Sequence, residues 1–273
     1  MIQFPNCKIN LGLSIIAKRT DGYHELETVF YPVGLKDIVE VVRASDLSAP
    51  VEFTSTGIEV PGEIANNLCV KAYELLKAAY PALPAVKIHL HKHIPMGAGL
   101  GGGSSDATAV LKLLNQVFNL SLTQAQLINY AAQLGSDCPF FVLDTPCHAT
   151  GRGEILNPIQ LDLSNYSIAL IHPGVHIATS WAFQQLAPHE KEKSIATIIA
   201  QDIETWKQEL VNDFEAPIFL AHPYLAELKE MLYKEGAIYA SMSGSGSSLF
   251  GIFPKAQASN KDLVSDKYRT DWI

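Results

Sequence analysis

The sequence predicts an α+β fold. Runs with period-two apolar alternation stand beside runs with helical spacing, the two do not alternate as regular βαβ units, and no segment repeats. The first strand is read over residues 7–16, "CKINLGLSII", and "Asp21-Gly22-Tyr23-His24" is a turn signal. "ETVFYPVGL" and "DIVEVVRA" continue as strands. A helix opens at Asn66-Asn67, where asparagine suits an N-cap; Leu68, Ala72, Leu75, Leu76 and Ala79 share one face, and Pro81 and Pro84 end it. "AVKIHLHKHI" returns as strand, and its His89, His91 and His93 at alternate positions read as a wet face, not a metal site. After a glycine run, Ala107, Val110, Leu111, Leu114, Val117 and Phe118 mark an amphipathic helix with Ser104 or Ser105 as its cap. Thr123 and Gln126 form a capping box for the next helix, closed by Gly135. "PFFVL" is read as a strand. Beyond it come a strand at 166–172, helices around 196–210 and 223–234, and "AIYASM" and "SLFGIF" flanking the glycine turn "SGSGS". A boundary near residue 155 divides the chain into domains 1–155 and 156–273.

The 273 residues carry a net charge of −8, are 48% hydrophobic and hold only 18% charged residues. That balance suits a folded protein and argues against a nucleic-acid-binding surface, which would be basic. No apolar run is long enough to cross a bilayer, and Pro5, Asn6 and Lys8 interrupt any signal-like start. The expectation is a soluble bacterial cytoplasmic protein, monomeric or weakly dimeric, with no membrane partner. Cys7, Cys69, Cys138 and Cys147 have neither zinc nor disulfide-scaffold spacing and read as small buried apolar residues.

The stretch "IPMGAGLGGGSSDA", Ile94–Ala107, lies between a strand and a helix. The first amides of a helix point outward with the positive end of its dipole, and glycines let that backbone wrap an anion. The physical reading is a phosphate cradle between Gly97 and Ser105. Gly97-x-Gly99-x-x-Gly102 matches the dinucleotide pattern literally, but no acid lies in the "SLTQAQL" window where a ribose would be held. Gly103 stands where the nucleotide-triphosphatase loop needs lysine, and the protein-kinase motifs are absent.

"PMGAGLGGGSSDA" resembles the phosphate-binding motif of the GHMP kinases. "PNCKINLGLSIIAKRTDGYHELETVF", "LGSDCPFF", "ATGRGEIL", "HPGVHIATSWAF" and "SMSGSGSSLF" follow in the order of that family. The resemblance implies a two-domain fold, with an N-terminal half like domain 2 of ribosomal protein S5, a ferredoxin-like C-terminal half and a cleft active site. It implies ATP and Mg2+ as cofactors, with no protein metal-ligand set to be read. The branch it points to phosphorylates the 2-hydroxyl of 4-diphosphocytidyl-2-C-methyl-D-erythritol, a small-molecule step in non-mevalonate isoprenoid precursor synthesis. The alternatives are a GHMP kinase for another alcohol and a non-catalytic nucleotide-binding relative.

The resemblance also implies roles. Pro95, Met96, Gly97, Ala98, Gly99, Leu100, Gly101, Gly102, Gly103, Ser104 and Ser105 would hold ATP, with Lys92 and Asn67 near the same nucleotide. Asp137, which the residues alone allow equally as a turn aspartate, would be the general base. Lys8, on a strand otherwise apolar or small, would pair with it and stabilise the alkoxide. Asn10 would touch substrate. Tyr23, His24 and Phe183 would clamp the cytosine, with Thr179 a polar contact nearby. Gly244 and Gly246 would close over substrate or else let two backbones pack; both readings stand. Asp106, Ser136 and Cys138 depart from the residues usual in the family.

Overall fold

The computed structural model describes residues 1–44, 49–188, 191–255 and 268–273. The strands are β1 (Ile2–Gln3), β2 (Asn6–Lys18), β3 (His24–Lys36), β4 (Ile38–Arg43), β5 (Val51–Gly57), β6 (Val86–Lys92), β7 (Cys147–Thr150), β8 (Ile155–Pro158), β9 (Tyr166–His172), β10 (Tyr239–Met242), β11 (Leu249–Pro254) and β12 (Arg269–Trp272). The helices are α1 (Leu68–Ala79), α2 (Gly102–Phe118), α3 (Gln124–Leu134), α4 (Cys138–Leu143), α5 (Thr179–Gln184), α6 (Ile195–Ile199), α7 (Trp206–Glu209), α8 (Glu215–Ala221) and α9 (Pro223–Lys234). Mixed sheets and helices bear out the α+β expectation.

Contacts divide the described chain into two compact units. The first combines residues 1–7, 34–96 and 101–144; the second combines 8–33, 97–100 and 145–273. In the first unit a sheet of order β1-β4-β6-β5 pairs β5 with β6 in parallel, with α1 as the crossover between them. Val86, Ile88 and Leu90 alternate inward along β6 and pack with Val39, Val41, Leu76, Val110 and Leu114. His89 and His91 lie on the outer side, hydrogen-bonded to Thr54 and Thr56, as the wet-face reading expects. In the second unit an antiparallel sheet of order β10-β11-β9-β12 buries Ala240, Leu249, Phe253 and Ile171 with Leu225, Leu228 and Leu232 of α9. A further sheet has the order β2-β3-β7-β8.

Local signals explain most boundaries. Asn67 caps α1, its side chain accepting from the Cys69 amide, and Thr123 with Gln126 forms the reciprocal box that opens α3. Gly135 closes α3 with extended backbone. Three expectations are corrected. "PFFVL" is not a strand but most of α4: Pro139 lies in the first helical turn, where a missing N–H costs nothing. The cap of α2 is Gly101, in left-handed conformation at φ 69°, so Ser104 and Ser105 lie inside the first turn. The 196–210 region is two short helices separated by a single-turn helix, whose N-cap Asp202 binds the Glu204 amide and starts a new turn.

None of the four cysteines forms a disulfide among the described residues, and all four are buried. Burial pushes the Cys147 and Cys138 thiols up to about 11, which keeps both unreactive. Among the described residues no helix is long and apolar enough to cross a membrane.

Candidate active site

The second unit holds the front of the glycine run, residues 97–100. Gly97 and Gly99 have φ values of 64° and 80°, a region side chains rarely adopt. A Cβ on Gly99 would overlap the Ser243 carbonyl, and one on Gly246 would overlap the backbone of Ala98 and Gly99. The "SGSGS" turn is therefore packed backbone to backbone against this run. Ser243 Oγ donates to Gly99 O at 2.9 Å, and the Ser248 amide donates to Ala98 O at 3.2 Å. Of the two readings of Gly246, backbone packing is thus observed. Gly244 lies at φ 59°, and its carbonyl accepts from Asn212 Nδ2 at 2.8 Å.

Lys8 lies on β2 in the same unit and is 3% exposed. Its amide donates to Leu100 O at 3.0 Å. Its ammonium donates to Asn10 Oδ1 at 2.6 Å and Gly99 O at 3.1 Å, and sits 4.9 Å from the centre of the Phe30 ring. A buried ammonium needs such partners, because an uncompensated buried charge is very costly.

The first unit holds the other end of the run. The amides of Gly102, Gly103 and Ser104 belong to the first turn of α2 and have no partners inside the helix, whereas the Ser105 amide already bonds Gly101 O at 2.9 Å. Around Gly103 there is open space: a Cβ there would meet nothing within 4 Å. Beside it, a cavity of about 160 Å³ is lined by Val60, Asn67, Leu90, Met96, Gly103 and Asp106 among others. That volume fits part of a ligand, such as a base, since whole drug-sized ligands occupy roughly 300 Å³ or more.

Under the start of α2 lies a buried ion cluster. Lys92 Nζ is 2.5 Å from Asp37 Oδ2 and 2.7 Å from Asp106 Oδ2, and neither the lysine nor the Asp37 side chain is exposed. Asp37 Oδ1 also accepts from the amides of His93 and Ile94, at 2.5 and 2.8 Å. A Cβ on Gly102 would lie 3.0 Å from Lys92 Nζ, so the lysine abuts the helix start. Burial lowers the Lys92 pKa, but the two carboxylates outweigh it and leave it raised. Burial pushes the Asp106 carboxyl up; Lys92 offsets this only in part, leaving it at about 7.

Asp137 is half-buried at the N-cap of α4, and its side chain does not cap that helix. Its turn is tied to α2: Thr108 Oγ1 donates to Cys138 O at 3.0 Å. The first unit therefore brings the helix start and the Asp137 turn together.

In the second unit the turn before β3 presents Tyr23 and His24. Arg19 N donates to Tyr23 O at 2.8 Å, and Asp21 Oδ1 accepts the Tyr23 amide at 3.1 Å. That amide, with Arg19, holds the Asp21 carboxyl below its usual range. The His24 ring stacks on Phe183 of α5, with centres 4.9 Å apart and planes 21° apart, and Phe183 meets Phe214 edge-on. Tyr23 is exposed, with the Arg152 guanidinium 4.8 Å from its ring centre. Thr179 Oγ1 accepts from Ser245 Oγ at 3.2 Å. Sequence reasoning missed Asp37, Thr28, Ser243 and Arg152. A signal for an acid was present, since Lys92 shares the buried face of β6 with Val86, Ile88 and Leu90 and so requires a partner.

Comparison with known proteins fits this geometry. Residues 67–145 match the family model for the GHMP kinases N terminal domain, and residues 194–263 match that for the GHMP kinases C terminal. The chain belongs to the GHMP kinase family. A relative from Azobacteroides pseudotrichonymphae named 4-diphosphocytidyl-2-C-methyl-D-erythritol kinase is 51% identical over 256 residues, covering 93% of this chain and 94% of its own. The protein of that name from Chlorobium chlorochromatii is 40% identical over 274 residues, covering 97% and 93%. A crystal structure of 4-(cytidine 5'-diphospho)-2C-methyl-D-erythritol kinase superposes with a TM-score of 0.82 at 31% identity, over 100% of this chain and 98% of that one. The Methanococcus jannaschii mevalonate kinase shares the fold, with a TM-score of 0.74 at 13% identity over 100% and 97%. As a GHMP kinase the protein is an ATP-dependent kinase of α+β architecture.

Among the described residues no group of three or more His, Cys, Asp or Glu could hold a metal ion.

Proposed function

We propose that this kinase transfers the γ-phosphoryl group of magnesium-bound ATP to the 2-hydroxyl of 4-diphosphocytidyl-2-C-methyl-D-erythritol. The observation that carries the substrate is the aromatic group at the β3 turn, His24 stacked on Phe183 beside the exposed Tyr23. Aromatic faces bind a base by stacking, and a neighbouring polar ring supplies selectivity. An alcohol without a base has no use for such a group. The names of the relatives agree with it.

In this reading Asp137 accepts the proton of the 2-hydroxyl, whose oxygen attacks the γ-phosphorus; the bond to the bridging oxygen breaks and ADP leaves. Asp137 suits the role because a carboxylate can accept a proton and its turn is held to α2 through Thr108. Lys8 counters the charge developing on the attacking oxygen, as a preorganised buried cation can. Residues 95–105 hold the phosphates through helix-start amides and glycine backbone, with Lys92 and Asn67 supporting the nucleotide side. Asn10, Thr179, Gly244 and Gly246 line or support the acceptor side.

The test is ADP release with magnesium and ATP across a panel: the cytidyl compound, methylerythritol lacking the cytidyl group, mevalonate, homoserine and galactose. Turnover confined to the cytidyl compound is expected. Turnover with another alcohol discards the base clamp, and ADP from none of them discards the catalytic reading.

A further inference from the structure

Thr28 lies on β3 with its side chain wholly buried. Its hydroxyl donates to Gly12 O at 2.5 Å and accepts from Asn10 Nδ2 at 3.0 Å. Asn10 Oδ1 in turn accepts from Lys8 Nζ at 2.6 Å. The donor and acceptor roles along this chain are forced. An ammonium can only donate, so the Asn10 atom facing Lys8 must be the carbonyl oxygen. The other end of the amide is then an NH2 group and needs an acceptor. A threonine hydroxyl has one proton, and a backbone carbonyl cannot donate. The Thr28 proton is therefore committed to Gly12, and a lone pair faces Asn10.

Both anchors of the chain are rigid. Gly12 is left-handed at φ 68°, a conformation side chains rarely adopt, and its carbonyl accepts from Thr28 Oγ1. The Asn10 backbone N–H donates to Ser243 Oγ at 3.3 Å, and Ser243 Oγ donates to Gly99 O, which also accepts from Lys8. Without the Thr28 oxygen the Asn10 side chain would be held in this chain only by its bond to the Lys8 ammonium, so the amide would follow the ammonium instead of aiming it.

We propose that Thr28 is a positioning residue for phosphoryl transfer: its hydroxyl locks the Asn10 amide, which aims the Lys8 ammonium. The inference rests on the reading of Lys8 as the group that stabilises the attacking oxygen. It assigns Thr28 no contact with substrate. Small misplacement of a group acting in the transition state costs rate more than affinity, on the order of 10²-fold for about 1 Å.

The experiment compares Thr28→Val, which keeps the branched shape and removes the hydroxyl, with Thr28→Ser, which keeps the hydroxyl. The Val variant is expected to lose about 10–100-fold in kcat, with KM for ATP and for the cytidyl substrate within about twofold. The Ser variant should return to within about threefold of wild type in kcat, since its hydroxyl offers the same proton and lone pairs. On a Lys8→Met background Thr28→Val should cost nothing further. If Lys8→Met keeps full kcat, the reading of Lys8 fails and takes this inference with it. If Lys8→Met abolishes turnover while Thr28→Val keeps it, this inference alone is overturned. Equal losses in the Val and Ser variants also overturn it. Should Thr28→Val not fold, judged by circular dichroism and ATP binding, Thr28→Cys replaces it under the same criteria.

Discussion

Asp37 holds the Lys92 ammonium at 2.5 Å, and the two side chains are wholly buried. Asp106 completes the cluster at 2.7 Å from the same ammonium. The buried charge is tolerated because Lys92 faces both carboxyl groups and Asp37 is further satisfied by two backbone amides. Removing only the cation leaves the buried Asp37 carboxylate and the Asp106 carboxyl without a counter-ion. Lys92→Met should therefore lower the unfolding free energy by about 3–5 kcal/mol, the range for a broken buried pair. Adding Asp37→Asn and Asp106→Asn to that variant should recover much of the loss, because neutral groups need no counter-ion. Urea unfolding of the single and triple variants checks both. A single variant as stable as wild type would show that the cluster is not paired as described.

The same cluster makes a pH prediction. Burial and Asp37 leave the Asp106 carboxyl at about 7, above the ordinary 3.8, despite Lys92. Between those values the folded state keeps a proton that the unfolded state has lost. The folded state binds more protons there, so this group's contribution to stability falls as pH rises from about 4 to about 7. Asp106→Asn cannot titrate and should lack that slope. The stability of the variant relative to wild type is expected to rise across this window, read by urea unfolding at steps from about pH 4.5 to 7.5. A constant difference would mean that Asp106 stays ionised throughout.

Much of the fold was legible because local chemistry decided it. Asn67 and the Thr123–Gln126 pair were readable as caps, and both cap as expected. "PFFVL" was not legible, since a short apolar run has no period to distinguish strand from helix. Proline in its first turn and contacts with α2 settle it as helix. In the candidate site, the glycine run and Lys8 were readable from residue type and setting. Asp37 and Thr28 were not, because their partners lie 55 and 18 residues away and no nearby pattern marks them. The "SGSGS" glycines left two readings open, and only the approach of the Ala98–Gly99 backbone to Gly246 made packing evident.

Asp137 starts α4 without capping it, and the loop that carries it is fixed to α2 through Thr108. Asp137→Asn keeps the shape and removes the proposed proton acceptor. General-base catalysis contributes about 10²–10⁴-fold, so kcat should fall within that range. ATP affinity, measured by equilibrium titration without acceptor, should stay within about twofold, since a lost transition-state role leaves ground-state binding intact. Unchanged turnover would reject Asp137 as the base.

Gly103 and Gly246 separate two uses of glycine in and around the proposed phosphate cradle. Gly103 lies in α2 with open space beside its α-carbon, and its φ is compatible with any side chain. Gly103→Ala should therefore leave stability unchanged or raise it by about 0.5–1 kcal/mol, the difference in helix propensity. In the proposed cradle the added methyl would stand where the phosphate approaches the first-turn amides, so KM for ATP should rise at least about tenfold, about 1.4 kcal/mol of lost binding. Gly246→Ala should behave in the opposite way. Its methyl would overlap the backbone of Ala98 and Gly99, which cannot rotate aside. Overpacking of that kind costs typically about 1–3 kcal/mol of stability, and displacement of the glycine run should raise KM for ATP as well. Thermal unfolding alongside initial rates at varied ATP distinguishes the two patterns. A Gly103→Ala enzyme with unchanged KM would place the phosphates away from the start of α2 and overturn the cradle.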